Sequence, residues 1–156
     1  MDFNGKPLID WTIEFAKTLG YPIYVSTDLR DFKRDGVKTI VRPAFINQDI
    51  DMKFVVEHAI TKISEPAIIL LQCTTPKRSE FLIKRYIKVF EEFKKNVVTV
   101  NMYTNQPNGY CFIFPKNHYI WDYPIFVMGM NEIDTMDIDY IWDFRIAEAI
   151  QRGDHR

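Results

Sequence analysis

Residues 67–79 read Ala-Ile-Ile-Leu-Leu-Gln-Cys-Thr-Thr-Pro-Lys-Arg-Ser. The first half is an unbroken apolar run of strand length, the pattern of a strand covered on both faces. The second half turns polar at once: Gln72, Thr74, Thr75, Lys77, Arg78 and Ser79 follow, bent by Pro76. In open α/β sheets, ligands bind outside the carboxyl ends of such strands. The stretch therefore predicts a core strand and one wall of a site.

Outward from it, strands and helices alternate. Towards the N-terminus, Pro7 suits a helix first turn, and Ile9, Ile13 and Ala16 make an apolar stripe that stops at Gly20. Short strands follow over 22–27, ending on Asp28, and over 37–41, ending on Arg42-Pro43. Met52, Val55, Val56, Ala59 and Ile63 mark a second helix. Towards the C-terminus, Ser79 caps a helix with Leu82, Tyr86, Val89, Phe90 and Phe93 inward. Strands are expected over 96–102 and 110–114, joined by a link containing Asn108-Gly109. A short helix or turn over 117–121 and a strand over 125–130 come next. A last helix over 139–152 has Trp142, Ile146, Ala149 and Ile150 inward. This alternation predicts an α/β layered domain with a mostly parallel sheet, and the whole 1–156 chain reads as a single domain.

Composition narrows the function. The 156 residues are 47% hydrophobic and 15% aromatic, enough for a packed core. A formal net charge of −1 supplies no basic field for nucleic acid or an anionic membrane. No apolar run is long enough to span a bilayer, and the N-terminus has no signal-peptide core. Cys73 and Cys111 sit in apolar contexts without metal-like spacing, which suits buried, reduced thiols in a cytoplasmic protein. No Gly-x-Ser-x-Gly, Cys/His pair or Gly-rich phosphate loop is present, so no nucleophile stands out.

Two constellations remain. In an extended Asp137-Ile138-Asp139 both carboxylates share a face, where a cation could lie between them; alternatively Asp139 caps the last helix and Asp137 is solvated. Gln72, Thr74, Thr75 and Arg78 offer neutral hydrogen bonds and a planar cationic fork, or form a polar strand-to-helix loop with no ligand. Asp28 and Arg42 end strands and are read either as turn residues or as facing the same crevice.

Several of these stretches, in order, resemble the acylneuraminate cytidylyltransferase (CMP-sialic acid synthetase) family. Gly5-Lys6-Pro7-Leu8-Ile9 resembles its Gly-Lys-Pro-Leu-Ile helix start, Val25-Ser26-Thr27-Asp28 its Val-Ser-Thr-Asp strand end, and Arg42-Pro43 its Arg-Pro. Leu70-Leu71-Gln72-Cys73-Thr74-Thr75-Pro76-Lys77-Arg78 resembles Leu-Leu-Gln-Pro-Thr-Ser-Pro-Leu-Arg. Asn108-Gly109 resembles the Asn-Gly entering a late strand. Asp137-Ile138-Asp139 with Asp143-Phe144 and Ala147-Glu148 resembles the family's Asp-Ile-Asp-x-x-x-Asp-Phe-x-x-Ala-Glu.

The resemblance implies a three-layer, Rossmann-like, glycosyltransferase-A-type nucleotidyltransferase fold. It implies transfer of CMP from CTP to a sialic-acid-type sugar with release of pyrophosphate, so CTP and an acidic sugar as partners, and it admits a homodimer. It places Mg²⁺ on Asp137 and Asp139, the sugar against Gln72, Arg78 and Asn108, and the base side against Arg42, with Thr74 and Asp28 as further substrate-binding candidates. Family members carry a first strand and a Gly-Ser-Lys loop ahead of the counterpart of residues 1–4; the expected sheet lacks that strand and the site lacks that triphosphate cradle. The strands at 23–27 and 68–72 must then pair directly, or another chain must fill the gap. Two further functions fit the same residues: a non-catalytic sugar- or nucleotide-binding module, and a small glycosyltransferase using Asp137 and Asp139 on a nucleotide-sugar donor.

Overall fold

The computed structural model describes residues 2–46, 50–101, 103–117, 122–128 and 136–153, with Gln151 by its backbone alone. The chain groups into two compact units: Met1–Leu19 with Pro66–Arg156, and Gly20–Glu65.

The larger unit opens with a hairpin, β1 (Asp2–Phe3) and β2 (Lys6–Pro7), turned by Asn4 and Gly5 at φ 47° and 87°. Two successive positive φ values make the tight turn that Asn-Gly favours. Helix α1 (Leu8–Thr18) follows. After the smaller unit, β5 (Ala67–Leu70) leads through the polar loop into α3 (Glu80–Phe93), whose N-cap is Ser79 with its hydroxyl accepting from the Leu82 amide. Strands β6 (Val97–Val100), β7 (Pro107–Pro115) and β8 (Ile125–Met128) and helix α4 (Ile141–Arg152) complete the unit. The smaller unit contains β3 (Ile23–Thr27) and β4 (Val37–Val41), paired in parallel, and α2 (Met52–Ile60).

The main sheet has the order β5-β7-β6-β8. Strand β7 is antiparallel to β5 and β6, while β6 and β8 are parallel. Three strands therefore run one way and β7 alone is reversed. Strand β7 is the centre of the core: Tyr110 to Phe114 are all at most 4% exposed. Leu82, Ile83 and Tyr86 of α3 pack with Val97, Tyr110, Cys111 and Ile113. Strands β3 and β5 lie in separate sheets, each with one strand partner among the described residues, so they do not pair directly.

The link between β6 and β7 falls earlier than the sequence suggests. The link ends before Pro107, and in it the Asn101 side chain accepts from the amides of Tyr103 and Thr104. Asn108-Gly109 therefore lies inside β7. Two steps along β6, Val98 to Val100, span five along β7, Phe112 to Pro107, so β7 bulges there. The Thr99 hydroxyl spans the irregularity, accepting from the Cys111 amide and donating to its carbonyl at 2.9 Å each. Thr99→Val leaves both groups buried and unpaired. It is expected to lower stability by about 2–3 kcal/mol, read as a drop in urea midpoint at unchanged slope.

The last helix also turns a different face inward. Phe144 and Ala147 are buried, packed with Phe3, while Trp142 is 66% and Ile146 50% exposed. The Phe3 and Phe144 rings meet edge-on at 5.3 Å, and Asn4 donates its amide to the Glu148 carboxylate at 2.8 Å. The N-terminal hairpin thus selects the buried stripe. Cys73 and Cys111 are free thiols, the latter fully buried and held up to a pKa of about 12 by that burial. The expectations for 118–121, 129–130 and position 102 lie outside the described residues. No helix among the described residues is long and apolar enough to cross a membrane.

Candidate functional site

Three segments of the larger unit meet at the carboxyl end of β5. The first is the loop after β5. Gln72 donates its amide to the Gly109 carbonyl at 3.3 Å, and Thr75 donates its amide to the Gln72 carbonyl at 3.3 Å. The second is the bulged start of β7, carrying Asn108 and Gly109. The third is the 136–139 segment, fastened by the Ile138 amide donating to the Thr74 carbonyl at 2.9 Å. Gln72, Thr74, Asn108 and Asp137 are thereby assembled from positions far apart in the chain.

Gly109 is the hinge of this assembly. It holds φ +68°, and a methyl in place of its hydrogen would lie 2.0 Å from Gln72 Oε1 and 3.4 Å from Asp137 Oδ2. Only glycine allows the Gln72 amide and the Asp137 carboxylate to approach this backbone together. Gly109→Ala is expected to cost about 1–2 kcal/mol for the left-handed backbone alone and to push the Gln72 side chain aside. Urea melts of this variant and of its double with Gln72→Ala separate the two effects. The double should relieve the clash and keep the backbone cost; equal losses in both would show that the contact with Gln72 contributes nothing.

Arg78 occupies a different place from the other polar residues of the loop. Its Nε donates to the Tyr110 carbonyl at 2.9 Å, Nη1 to Thr12 Oγ1 at 3.1 Å, and Nη2 to the Gln72 carbonyl. Three of its five N–H donors are thus spent on the protein itself. Its guanidinium carbon lies 5.9 Å from the centre of the Tyr110 ring, whose hydroxyl accepts from the Ser79 amide at 2.7 Å. Burial lowers its pKa to about 10, so it stays charged at neutral pH. Arg78 ties the loop, α1 and β7 together.

The two aspartates have unequal surroundings. Burial, reinforced by the neighbouring Asp139 charge, raises the Asp137 pKa above the usual carboxylate value, against the opposing effects of a hydrogen bond from Thr74 and the Arg78 charge. Asp137 Oδ1 is buried and has no hydrogen-bond partner. Asp139 is exposed. Capping of α4 falls to Asp143, whose Oδ2 accepts from the Asp139 amide at 3.1 Å and the Tyr140 amide at 2.8 Å. The Asp139 carboxylate is thereby released from the capping role. Among the described residues, no group of three or more His, Cys, Asp and Glu side chains is arranged to hold a metal ion.

Asp28 and Arg42 belong to the smaller unit, where they form an ion pair at 3.6 Å. The Arg42 amide also donates to the Thr27 carbonyl at 2.7 Å, closing the ends of β3 and β4 together. Sequence reasoning names Thr75 only as one of several polar loop residues, and it misses Gly109 as a contributor to the larger unit's site. Thr75 is 1% exposed with its hydroxyl unpartnered, and nothing in its sequence context separates it from a solvated loop threonine. Gly109 could have been weighed from the Asn-Gly pair, which favours positive φ.

No protein-family profile matches this sequence, and no curated protein matches it in sequence. Among solved structures, 2-C-methyl-D-erythritol 4-phosphate cytidylyltransferase from Thermus thermophilus superimposes with a TM-score of 0.70. The match covers 97% of this chain and 92% of that one at 15% identity. The chain shares the fold of that protein. Within this fold, Gln72, Thr74, Asn108 and Asp137 come together at the carboxyl end of β5.

Proposed function

We propose that this chain is a cytidylyltransferase-like protein that binds CTP and a hydroxyl-bearing acceptor and transfers CMP with release of pyrophosphate. The proposed acceptor is a sialic-acid-type acidic sugar, as the sequence resemblance implies. The observation that carries the reading is the Asp137 carboxylate set against Gln72 and Gly109 in a nucleotidyltransferase fold. Asp137 and Asp139 are suited to Mg²⁺, which commonly takes one or two carboxylates and completes its shell with phosphate and water. The unpartnered, buried Asp137 Oδ1 supports that fit, because a cation would satisfy it. When bound, the ion would neutralise charge developing on the phosphates. Gln72, Thr74 and Asn108 would hold and orient the acceptor hydroxyl, and Arg78 would keep their loop in place. Arg42 is assigned to the base side, as the resemblance implies, and Asp28 is a further substrate-binding candidate. The same reading takes the chain as one cytoplasmic domain that can pair with a second copy.

Pyrophosphate release tests it, with CTP, Mg²⁺ and either N-acetylneuraminate or 2-C-methyl-D-erythritol 4-phosphate. The second acceptor enters because the superimposed structure is named for it. Release with N-acetylneuraminate alone supports the sugar assignment; release with the polyol phosphate alone replaces it. A non-catalytic binding module is the second reading, favoured by the spending of Arg78 on internal acceptors rather than on phosphate. Calorimetric binding of CTP or sugar with no pyrophosphate release would establish that version.

A further inference from the structure

In the larger unit, Thr75 Oγ1, Asn108 Nδ2 and Asp137 Oδ1 are buried without hydrogen-bond partners, and their residues sit on the three segments joined at the end of β5. Thr75 is 1% and Asn108 6% exposed. Backbone bonds tie them to a common centre. The Thr75 amide reaches the Gln72 carbonyl, the Gln72 amide reaches the Gly109 carbonyl next to Asn108, and the Ile138 amide next to Asp137 reaches the Thr74 carbonyl.

A buried hydroxyl without a partner is a standing cost to the fold, and valine would fill almost the same shape without it. Asn108 is tied down on its other side, since its Oδ1 accepts from the Tyr110 amide at 3.3 Å. Its Nδ2 is thus held in a fixed direction. With Asp137 Oδ1 left to the cation, Asn108 Nδ2 presents a donor and Thr75 a hydroxyl able to donate or accept. Adjacent hydroxyl groups on a carbon chain match that set, since each can accept one hydrogen bond and donate another. In the arrangement proposed below, the Gln72 side chain moves aside. It lies over Gly109 and has no hydrogen bond to a described residue, so its displacement breaks none of those described here.

We propose that Thr75 is a specificity residue, kept unpaired so that its hydroxyl, with Asn108 Nδ2, reads neighbouring hydroxyl groups of a polyhydroxylated acceptor once Gln72 swings aside. This rests on the functional reading above and adds to it a residue and a chemical class.

Thr75→Val and Thr75→Ser, compared with the wild-type chain, test it by thermal melting without ligand and by calorimetric titration with N-acetylneuraminate and 2-C-methyl-D-erythritol 4-phosphate. Thr75→Val should raise the thermal midpoint by about 2–4 °C, because an unpaired hydroxyl is removed. It should also weaken binding of whichever probe binds by about tenfold. Thr75→Ser should keep the affinity. A lower midpoint for Thr75→Val would show that the hydroxyl already has a partner, and would overturn the proposal. Unchanged affinity in Thr75→Val would overturn it while leaving the functional reading intact. Failure of the wild-type chain to bind either probe would overturn both.

Discussion

Arg78→Ala is expected to cost the larger unit about 3–5 kcal/mol, a large share of the stability of a domain this size. The loss comes from several sources at once. The Tyr110 carbonyl and the Thr12 hydroxyl each lose a donor, the Gln72 carbonyl is left with the Thr75 amide alone, and the guanidinium leaves a void among α1, the loop and β7. Each buried acceptor left unpaired costs about 1–3 kcal/mol, and partial collapse of the loop recovers some of it. Arg78→Lys should restore little. A single ammonium on a flexible stem cannot reach three acceptors fixed by a planar fork. Urea melts of both variants provide the measurement. If Arg78 served a ligand alone, both would melt like the wild-type chain and lose only binding.

That expectation also shows where the sequence stops being legible. The strand, loop and capped helix around 67–79 can be read because each carries a local signal: a continuous apolar run, a proline, and a serine positioned to accept from the Leu82 amide. The partners of Arg78 carry no such signal. They lie 6, 32 and 66 residues away, two of them backbone carbonyls that any side chain would present equally. An arginine in a polar loop therefore reads as a ligand group when part of its work is structural. Helix α4 makes the same point about packing. Its sequence carries two apolar stripes, Trp142 with Ile146 and Phe144 with Ala147, and periodicity cannot choose between them. Phe3 chooses, through a hairpin whose Asn4-Gly5 turn is the recognisable cue. The aspartate pair was legible as a pair. Its inequality was not, since that depends on Asp143 taking over the cap and on Thr74 closing over Asp137.

Asp137→Asn should act in opposite directions on stability and on activity. The native Asp137 holds its proton more tightly than an unfolded chain does, because burial and Asp139 disfavour its charge. In the interval between the ordinary carboxylate value, about 4, and the raised native one, the folded state binds more protons. Stability therefore falls as pH rises through that interval, and the destabilisation persists at neutral pH. Removing the charge should make the ligand-free protein more stable at pH 7 and flatten its pH dependence above pH 4. Mg²⁺ binding and CTP-dependent pyrophosphate release should fall together, the rate by about a hundredfold or more, as expected for losing a group that stabilises transition-state charge. Asp139→Ala, at an exposed position, should impair Mg²⁺ binding and turnover with a smaller gain in stability, because burial contributes more than the Asp139 charge to disfavouring the charged Asp137. Thermal melts across pH, Mg²⁺ calorimetry and pyrophosphate release on the two variants decide it. A stability gain with undiminished Mg²⁺ binding would leave Asp137 as a buried carboxylate with no ion to hold, and would move the metal assignment away from this pair.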